Sequence, residues 1–293
     1  MTVATSIIIP AYQAESFITD AVKSVMAQTR DDWELVIASD DGQDYLQVLA
    51  THGIRDKRLH SVSTGGIATG VANTRNTALR AAKGRIIASL DADDLLHPKA
   101  LEVLVPLVLK HGAAYSHTRL VDFATAAPAF NCNRELPEGL TSLPDILTSN
   151  LYTFAGIVFD RERLQNLGWP DVVRWEDVLF VAACCDALGS IYHVPQSLYI
   201  YRLREGSVCN RAETAEEFKS WAERILADLQ RSRMRFTHPA TVSTLETYLS
   251  RRIQVEIDCV KALEAGLYRD YRHFIQENLQ LFHTLALAIR HGK

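Results

Sequence analysis

The chain has little of what marks several large classes of protein. Its five cysteines in 293 residues are odd in number and form no CxxC pair. This excludes a disulfide framework or a zinc ribbon and predicts reduced, mostly buried thiols. There is no basic run, the formal net charge is -4, and no basic stripe is interleaved with aromatics, so a general nucleic-acid binder is excluded. No hydrophobic stretch reaches the length of a membrane span, and no internal repeat or low-complexity segment is present. The ten histidines make no metal-spaced cluster, and His97 before Pro98 reads as a turn residue. Gly65, Gly66 and Gly70 form neither GxGxxG nor a Walker loop, which argues against a dinucleotide fold or a phosphate-loop NTPase and leaves them as loop punctuation. The opening residues, with Ile7 to Ile9 before Pro10, predict a strand and not a signal peptide. With reduced thiols, they set the expectation of a cytoplasmic protein.

What is present is 47% hydrophobic residues, enough for a full core, and a β/α alternation over the first hundred positions. Ser6 to Ile9 reads as a buried strand, followed by a helical pattern over Ala14 to Gln28. Trp33 to Ala38 is a second strand ending in Ser39, Asp40, Asp41 and Gly42, and Tyr45 to His52 is helical. A polar, glycine-rich stretch over Ser61 to Gly70 leads into a helix over Ala72 to Ala82, closed by Gly84. Each strand delivers polar residues at its carboxyl end, the edge where open α/β sheets bind ligands.

The sharpest feature is the strand Arg85 to Leu90, which runs into Asp91, Ala92, Asp93 and Asp94. Three carboxylates in four residues beside an apolar strand repel one another and lose hydration unless a cation sits among them. An all-oxygen ligand set suits a hard ion, Mg2+ or Mn2+, carrying phosphate. The competing reading is that the acids cap the following segment, Leu95 to Leu109.

Several motifs in order carry a family resemblance. Ser6 to Gln13, then Ser24, Val25, Gln28 and Thr29, then Trp33 to Val36, resemble the opening of family 2 glycosyltransferases. Leu90 to Asp94 resembles that family's DxD motif, and Thr74 to Thr77 its ARNxG segment. Further on, Gly156 to Arg161 with Leu164, Gly168 and Trp169 resembles the acceptor-side segment, Trp175 to Asp177 the ED motif, and Tyr199 to Arg202 with Ser207 the closing YR element. The resemblance implies an α/β GT-A fold with a Rossmann-like, mostly parallel sheet and flanking helices. It divides residues 1–210 into a nucleotide-sugar half (1–110) and an acceptor half with the catalytic base (111–210); residues 211–293 lie outside the resemblance and read as a C-terminal helical extension.

It also implies a metal-dependent, inverting transfer of sugar from a nucleoside diphosphate sugar, UDP favoured, to a saccharide or lipid-linked acceptor in bacterial surface polysaccharide synthesis. Asp93 is then the metal ligand, with Asp91 on the ribose or a metal-bound water and Ala92 between them. Asp177 is the base, with Glu176 orienting the acceptor or tuning the field. A carboxylate of ordinary pKa near roughly 4 takes the hydroxyl proton only as attack proceeds. The alternative for both acids is simply to start a helix over Val178 to Leu188. Pro10, Ala11 and Tyr12 resemble the base-binding loop, and Asp40 or Asp41 accepts from a pyrimidine nitrogen, strand length favouring Asp40. Arg75 serves the diphosphate or ribose, and Arg202 or Arg204 clamps the diphosphate. Arg204 stands where many relatives carry histidine.

Helical patterns over Glu213 to Arg233, Ala240 to Ala265 and Tyr268 to Arg290 must bury their apolar stripes against the catalytic domain, a second copy in a homodimer, or a membrane surface. Phe123 to Leu143 is expected over the acceptor cleft. Two other classes fit parts of the pattern. A phosphohydrolase with an aspartate nucleophile also uses DxD, and a non-catalytic nucleotide-sugar binder would keep the donor pocket without needing Glu176 and Asp177.

Overall fold

The computed structural model describes residues 4–129, 136–149, 156–165, 167–207, 211, 213–278 and 281. Cys132, Cys209, part of the Phe123 to Leu143 segment and nearly all of Leu279 to Arg290 lie outside them.

The β/α alternation builds one layered sheet. Strands β1 (Thr5–Ala11), β2 (Trp33–Ser39), β3 (Leu59–Ser63) and β4 (Ile86–Ser89) pair in parallel in the order β3-β2-β1-β4. β2, β3 and β4 are each reached through a helix: α1 (Ile18–Met26), α2 (Tyr45–Thr51) and α3 (Val71–Ala81). Asp44 caps α2 by accepting from the amides of Leu46 and Gln47. Because side chains alternate along a strand, Ile7 and Ile9 enter the core under α1 and α2 while Ile8 enters the core on the α3 side. Burial on both faces explains why β1, β2 and β4 read as unbroken apolar runs.

Beyond β4 the sheet becomes mixed. β8 (Val158–Asp160) runs antiparallel to both β4 and β6 (Ala113–Asp122), and β9 (Ile191–Leu203) is parallel to β6. Short β5 (Leu95–Leu96) and β7 (Gly139–Thr141) pair with β9. Helix α4 (Ala100–His111) packs on the α1 side, whereas α5 (Leu143–Ser149) and α6 (Glu176–Leu188) lie on the α3 side. The apolar faces of α7 (Thr214–Gln230), α8 (Pro239–Glu264) and α9 (Tyr271–Glu277) join that same core. Among the described residues no helix is long and apolar enough to cross a membrane.

The α/β sheet, its flanking helices and the C-terminal helical region follow the sequence expectation. Two local readings are corrected. The stretch after Lys57 contains the edge strand β3, half-buried and therefore without an apolar run to announce it. The segment after the acids is the two-residue strand β5 and then α4, because Pro98 and the pairing of Leu95 with Ile200 delay the helix to Ala100. Cys184, Cys185 and Cys259 are buried free thiols.

Candidate active site

The carboxyl ends of β1, β2 and β4 open on a cavity of about 520 Å³, closed on its far side by the start of α6 and by α7 to α9. Of the residues singled out in the sequence, Pro10, Ala11, Tyr12, Asp40, Arg75, Asp91, Ala92, Asp93, Glu176, Asp177 and Arg204 line it; Asp41 and Arg202 do not.

Asp40 and Asp41 point to different surroundings, Asp40 to the cavity and Asp41 away from it. Asp40 receives the hydroxyls of Thr64 (2.8 Å) and Thr69 (2.6 Å) and the Gly70 amide (3.0 Å). Burial pushes its carboxyl up, but these hydrogen bonds outweigh that and leave it below the usual range. The Thr69 backbone also contributes, so Asp40 sits ionised in the cavity wall within a shell of hydroxyl and amide donors. Asp41 instead braces the loop, accepting from Tyr45 Oη, the Gln13 and Gln43 amides and Ser39 Oγ. Gly70, read as punctuation, is part of the cavity and holds Asp40 at a φ of 104°, which favours glycine.

The acidic strand end separates into three roles. Asp94 is buried, accepts from Tyr199 Oη (2.7 Å) and the Arg202 amide (2.9 Å), and so fastens β9 to the end of β4; it neither caps a helix nor faces the cavity. Arg202 belongs to the same brace. Its guanidinium donates to the Asp93 carbonyl and to Asp20 (2.9 Å), which explains its absence from the cavity wall. Asp91 and Asp93 face the cavity. Burial, then the nearby Asp91 charge, pushes the Asp93 carboxyl up, opposed by Arg204 at 3.5 Å.

Arg75, on α3, is 3% exposed and joins the end of β4 to the start of α6: Nη2 lies 2.7 Å from Asp91 and Nη1 2.8 Å from Glu176. Burial works against its charge, and these carboxylates more than restore it. Among the described residues, Nε of Arg75 and Nε of Arg204 are buried without a hydrogen-bond partner. Two N–H groups of fixed charge, left over on side chains that line a cavity, suit an anion. One residue further along α3, Asn76 exchanges two hydrogen bonds with the backbone of Trp169 (2.7 and 2.8 Å), anchoring the segment that leads to α6. A Cβ at Gly168 would stand 2.7 Å from Asn76 Oδ1, so the glycine makes room for that anchor.

Glu176 and Asp177 occupy the first turn of α6, where the helix dipole favours acids. Both line the cavity, so starting the helix and facing the ligand coincide. Burial first, then the Asp177 charge, pushes the Glu176 carboxyl up to about 7 against the pull of Arg75. The preceding Trp175 is left-handed, with a φ of 72°. Such a conformation in a bulky residue marks a backbone that its surroundings hold in place.

Sequence reasoning missed the wall supplied by Arg174 and by Phe218, Tyr248, Arg252, Tyr271 and Ile275. Only the apolar stripe through Phe218 hinted that α7 packs inward; no local motif distinguishes Tyr248 or Arg252. Arg252 is 4% exposed and donates to Glu256 (2.5 Å) and Tyr271 Oη (3.0 Å).

Residues 6–127 match the family model described as Glycosyl transferase family 2. A Bacillus subtilis protein, TuaG, assigned by name to teichuronic acid biosynthesis as a glycosyltransferase, is 28% identical over 217 residues, 74% of this chain and 85% of that protein. The Escherichia coli UDP-Glc:alpha-D-GlcNAc-diphosphoundecaprenol beta-1,3-glucosyltransferase WfgD is 40% identical over 114 residues, 38% of this chain and 44% of that protein. Among solved structures, S. aureus TarS 1-349 superposes with a TM-score of 0.64 at 14% identity, over 99% of this chain and 92% of that one. The Pyrobaculum calidifontis mannosyltransferase PcManGT, in complex with GDP-Man and Mn2+, gives 0.58 at 18% identity, over 100% and 88%. The fold is that of GT-A glycosyltransferases with a C-terminal helical region. The sequence matches support a family 2 glycosyltransferase.

Proposed function

We propose that the protein moves a sugar, with inversion, from a nucleoside diphosphate sugar to a hydroxyl of a saccharide or lipid-linked acceptor in bacterial surface polysaccharide synthesis. The observation that carries this reading is that one cavity is lined by the carboxylates of Asp91 and Asp93 after β4 and of Glu176 and Asp177 at the start of α6, with the Arg75 guanidinium bonded to both Asp91 and Glu176. The first pair suits the diphosphate and the second the incoming hydroxyl.

In this reading Tyr12, 46% exposed at the cavity edge, offers a stacking face for the base, and the ionised Asp40 carboxylate in the cavity wall accepts from a pyrimidine N–H. The free N–H groups of Arg75 and Arg204 bind the diphosphate. Asp93, with Asp91, would hold Mn2+ or Mg2+. Among the described residues no three such side chains gather as a complete metal cage, and two carboxylates fit an ion that takes its other ligands from phosphates and water. Bound there, the ion would neutralise charge on the leaving diphosphate. Asp177 accepts the acceptor proton as the oxygen attacks the anomeric carbon opposite the leaving group. Residues 1–110 thus form the donor half, 111–210 the acceptor half. Asp41 and Arg202 support the loops around the site.

UDP is the favoured nucleotide. WfgD acts by name on UDP-Glc, and a TarS crystal holds UDP-GlcNAc, whereas PcManGT holds GDP-Man. The place of work is the cytoplasm, at the inner membrane face if the acceptor is lipid-linked. A thermal-shift panel of UDP-, GDP- and dTDP-sugars with Mn2+, followed by transfer assays on saccharide and lipid-linked acceptors, tests the proposal. One UDP-sugar at about 100 times its Kd should raise Tm by roughly 5–10 °C and support transfer. No shift and no transfer with any donor would refute it.

A further inference from the structure

The segment that delivers Glu176 and Asp177 is gripped by a helix that lies well beyond the family-matched residues 6–127. Two consecutive residues before the acids meet two consecutive residues of α7. The Arg174 guanidinium pairs with Glu217, and the Trp175 indole N–H donates to the Phe218 carbonyl at 3.0 Å. The indole ring stands edge-on to Phe218 (centroids 5.1 Å, 63°) and to Tyr248 of α8 (6.0 Å, 87°), and the Arg252 guanidinium lies 5.0 Å from it. From the opposite side Arg75 holds Glu176. The start of α6 carries no side-chain cap, and its left-handed Trp175 is a conformation that L side chains rarely adopt. What keeps it there is the grip of α7 and α8.

We propose that Trp175 is a positioning residue and that α7, backed by Tyr248 and Arg252 of α8, is a clamp that aims Glu176 and Asp177 into the cavity. The C-terminal helices are then a working part of the site. The inference rests on reading Glu176 and Asp177 as the acceptor-activating pair. Misplacing reacting groups by about an ångström costs on the order of a hundredfold in rate, so loosening this clamp acts on the chemical step and spares the donor pocket.

The test uses the full chain. Trp175→Phe keeps an aromatic ring and removes the N–H. It should lower kcat by roughly 10- to 100-fold while the donor Kd, measured by calorimetry, stays within about twofold. Carbon-13 carboxyl titration of Glu176 should move from about 7 in the wild type toward the ordinary glutamate range. Arg174→Ala should show the same split, and Arg174→Lys should recover much of the loss; this pair decides the matter if Trp175→Phe does not fold. An unchanged kcat and an unchanged Glu176 titration in a folded Trp175→Phe protein would overturn the clamp. If the wild type transfers no sugar from any donor, the functional reading fails by itself, and the Glu176 titration still decides whether Trp175 positions that carboxylate.

Discussion

The Arg75 guanidinium lies 2.8 Å from the Glu176 carboxylate, although 101 positions separate them in the chain. The same guanidinium reaches Asp91 at 2.7 Å, so one buried cation ties the end of β4 to the start of α6. Removing it leaves two carboxylates facing a cavity without their counter-charge. Arg75→Ala should destabilise the fold by about 3–5 kcal/mol, the usual penalty for breaking a buried pair from one side. It should also abolish measurable transfer. Arg75→Lys keeps the charge but not the fork that spans both acids, and should retain stability better than activity. Chemical denaturation and steady-state rates check the two effects separately; a lysine variant as active as the wild type would count against the bridging role.

Asp177→Asn should reduce transfer by roughly 10²- to 10⁴-fold, the usual contribution of a positioned base, with donor binding intact. Calorimetric donor titration beside a transfer assay distinguishes a lost base from a lost pocket. Undiminished transfer would remove Asp177 from the mechanism.

The Glu176 carboxyl, held up to about 7 by burial and by Asp177, makes both stability and rate depend on pH. Its folded pKa lies above the ordinary value of about 4.5, so the native state holds a proton that the unfolded chain releases in that interval. Stability should therefore fall as pH rises from about 4.5 to about 7 and level off above. Glu176→Gln should flatten that slope. The facing charges are Arg75 from α3 and Asp177 beside it, and because the two acids interact, the rate profile reports the pair. Transfer should rise through an apparent pKa near 7; denaturation midpoints and kcat/KM across pH 4 to 9, in wild type and Glu176→Gln, measure both.

Asp93→Asn should weaken Mn2+-dependent donor binding by at least about tenfold, since a neutral amide replaces one of two cavity-facing carboxylates. Treatment with a chelator should do the same to the wild type, with Mn2+ restoring activity. Donor binding that ignores both would remove the metal from the proposal.

Gly84→Ala tests the frame and not the chemistry. A Cβ at Gly84 would fall 2.6 Å from the Ser6 backbone nitrogen and 2.8 Å from Ser6 Oγ. Ser6 in turn bonds Glu34 at 2.6 Å inside the sheet, so the clash cannot be relieved by a flexible side chain. The expected cost is about 1–3 kcal/mol, a drop of several degrees in Tm by calorimetry. An unchanged Tm would show that β1 and the β4 approach can separate freely.

The sequence by itself determined the β/α order, the polar carboxyl edge of the sheet and eleven of the residues that line the cavity, because apolar periodicity and acids at strand ends are local signals. Asp91, Asp93, Arg75, Glu176 and Asp177 were all legible as candidates from their motifs, and all five line one cavity. Only the tertiary structure decided between neighbours of identical chemistry. Asp40 faces the cavity while Asp41 turns to Tyr45, and Asp93 faces it while Asp94 fastens Tyr199 and Arg202, since adjacent residues at a strand end point in different directions and meet different partners. It also brought Phe218, Tyr248 and Arg252 against Trp175. That contact joins residues tens of positions apart through long-range packing, which leaves no spacing or periodicity in the chain to read.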